Sequence, residues 1–142
     1  MARLTKRVEF ENDHGEIVRY VRHENGGGLV APTARVHPSA MLAPTAYVEA
    51  GARVGAGTRV GAGSWLDHDA QVGEDVVIGD AVHVGPCTRV GDAARLGSRA
   101  QIGRDVVVED GVRVEPDAAV PDGTVVTRRT GPGRRAGLDI AA

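Results

Sequence analysis

Every sixth residue from Val30 to Val126 is valine, leucine or isoleucine, without a slip. The series runs Val30, Val36, Leu42, Val48, Val54, Val60, Leu66, Val72, Ile78, Val84, Val90, Leu96, Ile102, Val108, Val114, Val120 and Val126. These residue types fill about a quarter of the chain, so seventeen agreements by chance have a probability on the order of 10⁻¹⁰. Two places before most of them stands a small residue, as in Ala34, Ala40, Ala46, Ala52, Thr58, Ser64 and Ala70. One place after, glycine is frequent, as at Gly55, Gly61, Gly73, Gly79, Gly85, Gly91, Gly97 and Gly103.

A short strand followed by a turn satisfies this beat. Alternate side chains on a strand share a face, so the small residue and the aliphatic both point inward. Glycine after the aliphatic is expected to supply the left-handed turn residue. Three such strands make a coil of eighteen residues, and successive coils pair in parallel about 4.8 Å apart. The pattern resembles that of the hexapeptide-repeat proteins. The fold it implies is all-β: a single left-handed parallel β-helix of five to six triangular coils, over residues 29–127. Residues 1–28 hold two strand-like runs around Asn12-Asp13-His14-Gly15 and are expected to form a β-hairpin that caps the first coil. Residues 128–142 form a basic tail with Arg128, Arg129, Arg134 and Arg135.

Composition narrows the class. Aromatics are only 3% of the chain and glycines number 20, which suits small side chains wound through many turns. A net charge of −2 gives no global attraction to nucleic acid, and no nucleic-acid motif is present. The single cysteine, Cys87, excludes an internal disulfide. No apolar run reaches the roughly 18 residues of a membrane span, and the N-terminus is charged throughout. A cytoplasmic protein is expected.

Stacking by eighteen assigns the outward ladders. One face carries Tyr47, Trp65, His83 and Gln101; the second Arg35, Arg53, Gln71, Arg89, Val107 and Val125; the third Met41, Arg59, Val77, Arg95 and Arg113. An outward aromatic column in a chain with so few aromatics suits a subunit interface. Hexapeptide-repeat proteins are usually homotrimers, so the resemblance implies self-association through Tyr47, Trp65 and His83. A ligand platform is the other reading of that column. The arginine ladders read as solvated faces or as anion sites, and the tail arginines as a contact for a protein or anionic partner.

The string His68-Asp69-Ala70-Gln71-Val72-Gly73 resembles the His-acid-x-x-aliphatic-Gly segment of hexapeptide acyltransferases. These include the UDP-N-acetylglucosamine acyltransferases and the nucleotide-sugar N-acetyltransferases. That resemblance implies His68 as general base, Asp69 as the acid that orients it, and acyl-CoA as co-substrate near His83 and Trp65, with no covalently bound cofactor. It implies acyl transfer to a hydroxyl or amine. Imidazole suits the task because it titrates near neutrality. The ending Val120-Pro121-Asp122-Gly123-Thr124-Val125-Val126 is similar to the family's close, but "TRRTGPG" follows in place of Gly-Asn-Pro-Ala.

Other readings stay open. His68 also reads as a polar corner residue. The unbroken register leaves no extruded loop to cover a substrate, which suits a non-catalytic trimeric spacer, shell or docking module. A metal protein like the γ-class carbonic anhydrases would need two histidines five residues apart. His37, His68 and His83 lack that spacing, so no metal site is expected. Cys87 reads as a small turn residue.

Overall fold

The computed structural model describes residues 7–11 and 17–128, with side chains described from residue 19 onward. The tail residues Arg129, Arg134 and Arg135 and the Asn12–Gly15 turn lie outside the described residues. β1 (Arg7–Glu11) and β2 (Ile17–Arg22) form an antiparallel hairpin. Two-residue strands then follow every six residues, from β3 (Leu29–Val30) to β19 (Val125–Val126).

They assemble into three sheets. Sheet A has eight strands: β1, β2, and every third strand from β3 to β18 (Ala119–Val120). Sheet B has six, from β4 (Arg35–Val36) to β19, and sheet C five, from β5 (Met41–Leu42) to β17 (Arg113–Val114). Each strand pairs in parallel with the one eighteen residues away; Val72, for example, lies between Val54 and Val90. The chain is therefore a left-handed parallel β-helix of the hexapeptide-repeat type, and β2 extends sheet A antiparallel to β3.

The core is the inward file of aliphatics with its small partners. Leu42, Val48, Leu66, Val84, Ala46 and Ala70 are fully buried. Three interior positions are polar and each is satisfied. Thr58, Ser64 and Thr88 donate to the carbonyls of Gly73, Gly79 and Gly103 and accept from the amides of Val76, Val82 and Val106. Pairing at both lone pair and proton is what makes such burial affordable. A smaller cluster of Tyr20, Leu29 and Ala31 joins the hairpin to the first coil.

The expectation that the glycine after each aliphatic supplies the left-handed turn residue is corrected. The positive-φ position lies two residues later, at Gly51, Gly57, Gly63, Gly111 and Gly123, and at Asp69, Asp75, Ala81 and Cys87 among others. The glycines that directly follow the aliphatics answer a different demand. A Cβ on Gly55 would stand 2.6 Å from the Gly73 carbonyl oxygen, and one on Gly85 would stand 2.5 Å from Gly103 backbone. They let adjacent coils touch at the corners. Among the described residues no helix is long and apolar enough to cross a membrane.

Candidate active site

From Gly55 to Gly103 the residue after each aliphatic is glycine at every coil position except one, Asp67. The chain puts a carboxylate where backbones otherwise crowd. Asp67 opens a turn, Asp67-His68-Asp69-Ala70, closed by the Ala70 N–H donating to the Asp67 carbonyl at 3.2 Å. Asp69, at the third position with φ 61°, gives the turn its type II character. His68 occupies the outer corner, its side chain 58% exposed.

The Asp67 carboxylate is turned back against the coil and only 11% exposed. Its Oδ1 accepts from the His68 backbone N–H at 2.7 Å and lies 2.8 Å from His68 Nδ1. Its Oδ2 lies 3.0 Å from His83 Nε2. A carboxylate only accepts, so the nitrogens facing it carry protons. That leaves Nε2 of neutral His68 with its lone pair outward, the state a general base requires. Burial is the largest single influence on Asp67 and pushes its carboxyl up. The hydrogen bonds from His68, side chain and backbone, and from His83 together outweigh it and hold the group below the usual aspartate range.

His83 reaches Asp67 because sheet A aligns it with Trp65. The strands Trp65–Leu66 and His83–Val84 pair in parallel with these two residues opposite each other. Their rings stack with centroids 4.4 Å apart and planes 20° from parallel. Trp65 Nε1–H donates to Glu49 Oε2 at 2.8 Å, and Tyr20 O–H donates to Glu49 Oε1 at 2.7 Å. Burial first, and then Glu49, push the Tyr20 phenol well above its ordinary value. Tyr20 meets Tyr47 edge-on at 5.8 Å. One connected set of side chains thus runs from the hairpin to the corner histidine. Glu49 and Asp67 hold the same corner in successive coils, each surrounded by donors.

Of the residues singled out from the sequence, His68, Trp65 and His83 are brought together. Asp69 makes no hydrogen bond to the imidazole, whose Nδ1 faces Asp67. Its left-handed backbone aims its carboxylate at Gly51 in the preceding coil, where any side chain would collide with it. Asp67, Glu49 and Tyr20 were not among those candidates. The break in the glycine file at Asp67 is the signal that marks the first; Glu49 repeats its corner eighteen residues earlier. Cys87 is exposed, with its N–H on the His68 carbonyl at 3.0 Å. Among the described residues no three His, Cys, Asp or Glu side chains gather as metal ligands, and His37 follows β4 of sheet B, apart from His68 and His83.

A cleft of about 410 Å³ runs along sheet A from His83 past Gln101 to Ala119, edged by Pro86, Arg104 and Pro121. A larger open groove of about 1260 Å³ lies on sheet B and is lined by neither His68 nor His83.

The family model described as the GMPPB C-terminal domain matches residues 25–128. No curated protein matches the chain. Among solved structures, it is similar to a GDP-perosamine N-acetyl transferase from Caulobacter crescentus in complex with CoA and GDP-perosamine. That match is 30% identical with a TM-score of 0.70, and covers 82% of this chain and 51% of that one. It is also similar to the acetyltransferase domain of PglB from Neisseria gonorrhoeae FA1090 in complex with acetyl coenzyme A. There the identity is 30% and the TM-score 0.42, over 70% of this chain and 53% of that one. The chain spans about half the length of each.

Proposed function

This chain belongs to the family of the GMPPB C-terminal domain, and from the geometry of Asp67 and His68 on that fold we propose that it transfers an acyl group from acyl-CoA to a hydroxyl or amine acceptor. His68 is the base of this reaction. The acceptor proton moves to His68 Nε2 as the acceptor oxygen or nitrogen bonds to the thioester carbonyl carbon. The carbon–sulfur bond then breaks, and the departing thiolate takes that proton back. Asp67 holds Nδ1–H, sets the tautomer and offsets the charge of the imidazolium that forms between the two steps. Asp67 takes the orienting role that the sequence pattern suggested for Asp69.

The observation that carries this reading is the doubly bonded Asp67 with His68 Nε2 left outward. The likeness to a CoA-bound N-acetyl transferase supports the co-substrate. The cleft beside His83 supports a place for the coenzyme's arm, with His83 and Trp65 at its head. The outward column of Tyr47, Trp65 and His83 supports a homotrimer in which a neighbouring copy walls that cleft.

A second reading is a non-catalytic trimeric assembly module. The exposure of His68 on an open corner of one chain favours it, as does the coil register unbroken from Val30 to Val126. Acetyl-CoA decides between them. Under the enzyme reading it raises the melting temperature in proportion to occupancy, and His68→Ala keeps that shift while losing thiol release with amine acceptors. Absence of any shift at millimolar coenzyme sinks the enzyme reading.

A further inference from the structure

Sheet B presents a row of guanidiniums that no carboxylate among the described residues pairs with. Arg35, Arg53, Gln71 and Arg89 are consecutive, in-register partners on its outer face. All four are exposed. Three other surface arginines find carboxylates: Arg99 bonds Asp117 at 2.7 and 3.1 Å, Arg104 lies 3.6 Å from Asp105, and Arg113 lies 3.5 Å from Glu115. Among the described residues Arg35, Arg53 and Arg89 have no such partner. Like charges directly opposite each other on paired strands repel. Arg35 and Arg53 are held one rung apart, about 4.8 Å at the backbone, by a rigid sheet.

The row lines the groove of about 1260 Å³, together with His37. The Ser39 N–H donates to His37 Nδ1 at 3.1 Å, and the Ser39 hydroxyl lies 2.8 Å from the same nitrogen. An accepting Nδ1 places the ring proton on Nε2, so neutral His37 adds one more donor to the groove. Three carboxylates also line this groove: Glu74 follows Gln71 in the same coil, and Glu109 and Asp110 come from the coil after Arg89, so the Arg35–Arg53 end is the one whose own coils add no acid to the groove. Sheet C offers no equivalent. Arg59 and Arg95 are separated there by the apolar Val77, and in the adjacent pair Arg95 and Arg113 the second is answered by Glu115.

We propose that the Arg35–Arg53–Gln71–Arg89 row is an oligophosphate-binding site, taking the phosphate chain of a nucleoside di- or triphosphate or of an inorganic polyphosphate. Guanidinium forks match phosphate oxygens two at a time, so Arg35 and Arg53 grip one phosphoryl group between them. A single phosphate reaches two rungs. Engaging Arg89 as well, three rungs or about 14 Å along the row, takes an extended anion with charge repeated along its length, and the Gln71 amide bridges the interval. His68 stands in the turn that precedes Gln71 and does not line this groove, and the site does not depend on the acyl-transfer reading.

The test is calorimetric titration of the full chain with inorganic tripolyphosphate and with ADP, at ionic strength held constant with sodium chloride. Saturable binding is expected. Arg35→Gln/Arg53→Gln should weaken it at least about tenfold, and Arg89→Gln alone severalfold. The double variant should melt no lower than the wild type without ligand, because it removes a repulsive pair. His68→Ala, which abolishes the proposed transfer, should leave tripolyphosphate affinity unchanged, so the two readings fail separately. Tighter binding of ADP than of tripolyphosphate identifies a nucleotide; the reverse identifies an inorganic chain. The proposal is overturned if binding vanishes at matched ionic strength, if the double variant binds as well as the wild type, or if oligoglutamate binds more tightly than either phosphate ligand.

Discussion

Asp67 and His83 are sixteen residues apart, yet Asp67 Oδ2 and His83 Nε2 meet at 3.0 Å. The contact joins a corner of one coil to the outer face of the next, and the same carboxylate holds His68 through its other oxygen. Both imidazoles are oriented by one buried acid.

Replacing that acid separates it from its neighbour. Asp67→Asn can accept at only one side-chain atom, so one imidazole loses its partner or changes tautomer. Acyl transfer should fall by about 10²-fold or more, as for loss of a general base. Asp69→Asn tolerates the left-handed backbone and should leave the rate unchanged. Steady-state rates of the two variants, measured side by side, check this. Equal losses would return the orienting role to Asp69.

Acid stability follows from the same bonds. The Asp67 carboxyl is held below its ordinary value in the folded chain, so the unfolded chain binds the proton more readily. The stabilisation is therefore fully present above the ordinary aspartate pKa of about 4 and is lost as pH falls through the depressed folded value. Melting curves from neutral pH to pH 2 should show a steeper acid decline in the wild type than in Asp67→Asn. Parallel curves would contradict this.

Leu66 is fully buried, between Val48 and Val84 in the inward file. Leu66→Ala should destabilise the fold by about 2–5 kcal/mol, since coils that are paired on both sides cannot collapse into the space. Val107→Ala, at an outward position 37% exposed, should change stability by less than about 0.5 kcal/mol. Urea titration distinguishes the two.

The two glycine roles predict different penalties. At Gly85 a methyl would meet Gly103 backbone at 2.5 Å, so Gly85→Ala must push coils apart and should cost about 1–3 kcal/mol. Gly63 has φ +72°, with nothing nearer than 3.9 Å to an added Cβ. Gly63→Ala should cost only the left-handed penalty of about 1 kcal/mol. The same denaturation measurement ranks them, and a reversed order would refute the assignment of roles.

The β-helix was legible in the sequence because its rule is local and repeated. A period of six with inward aliphatics admits one winding, and stacking by eighteen then puts Tyr47, Trp65 and His83 in one ladder and Arg35, Arg53, Gln71 and Arg89 in another. Periodicity assigns a residue to a face or a corner, but it carries no information on where a corner side chain turns. Asp67 and Asp69 flank His68 symmetrically in the sequence. Only the folded turn separates them, because the left-handed backbone at Asp69 sends its carboxylate toward the preceding coil while Asp67, at the start of the turn, folds back under both imidazoles. The reach of Tyr20 from the hairpin to Glu49 likewise depended on how β2 docks against sheet A, a contact between segments that no repeat encodes.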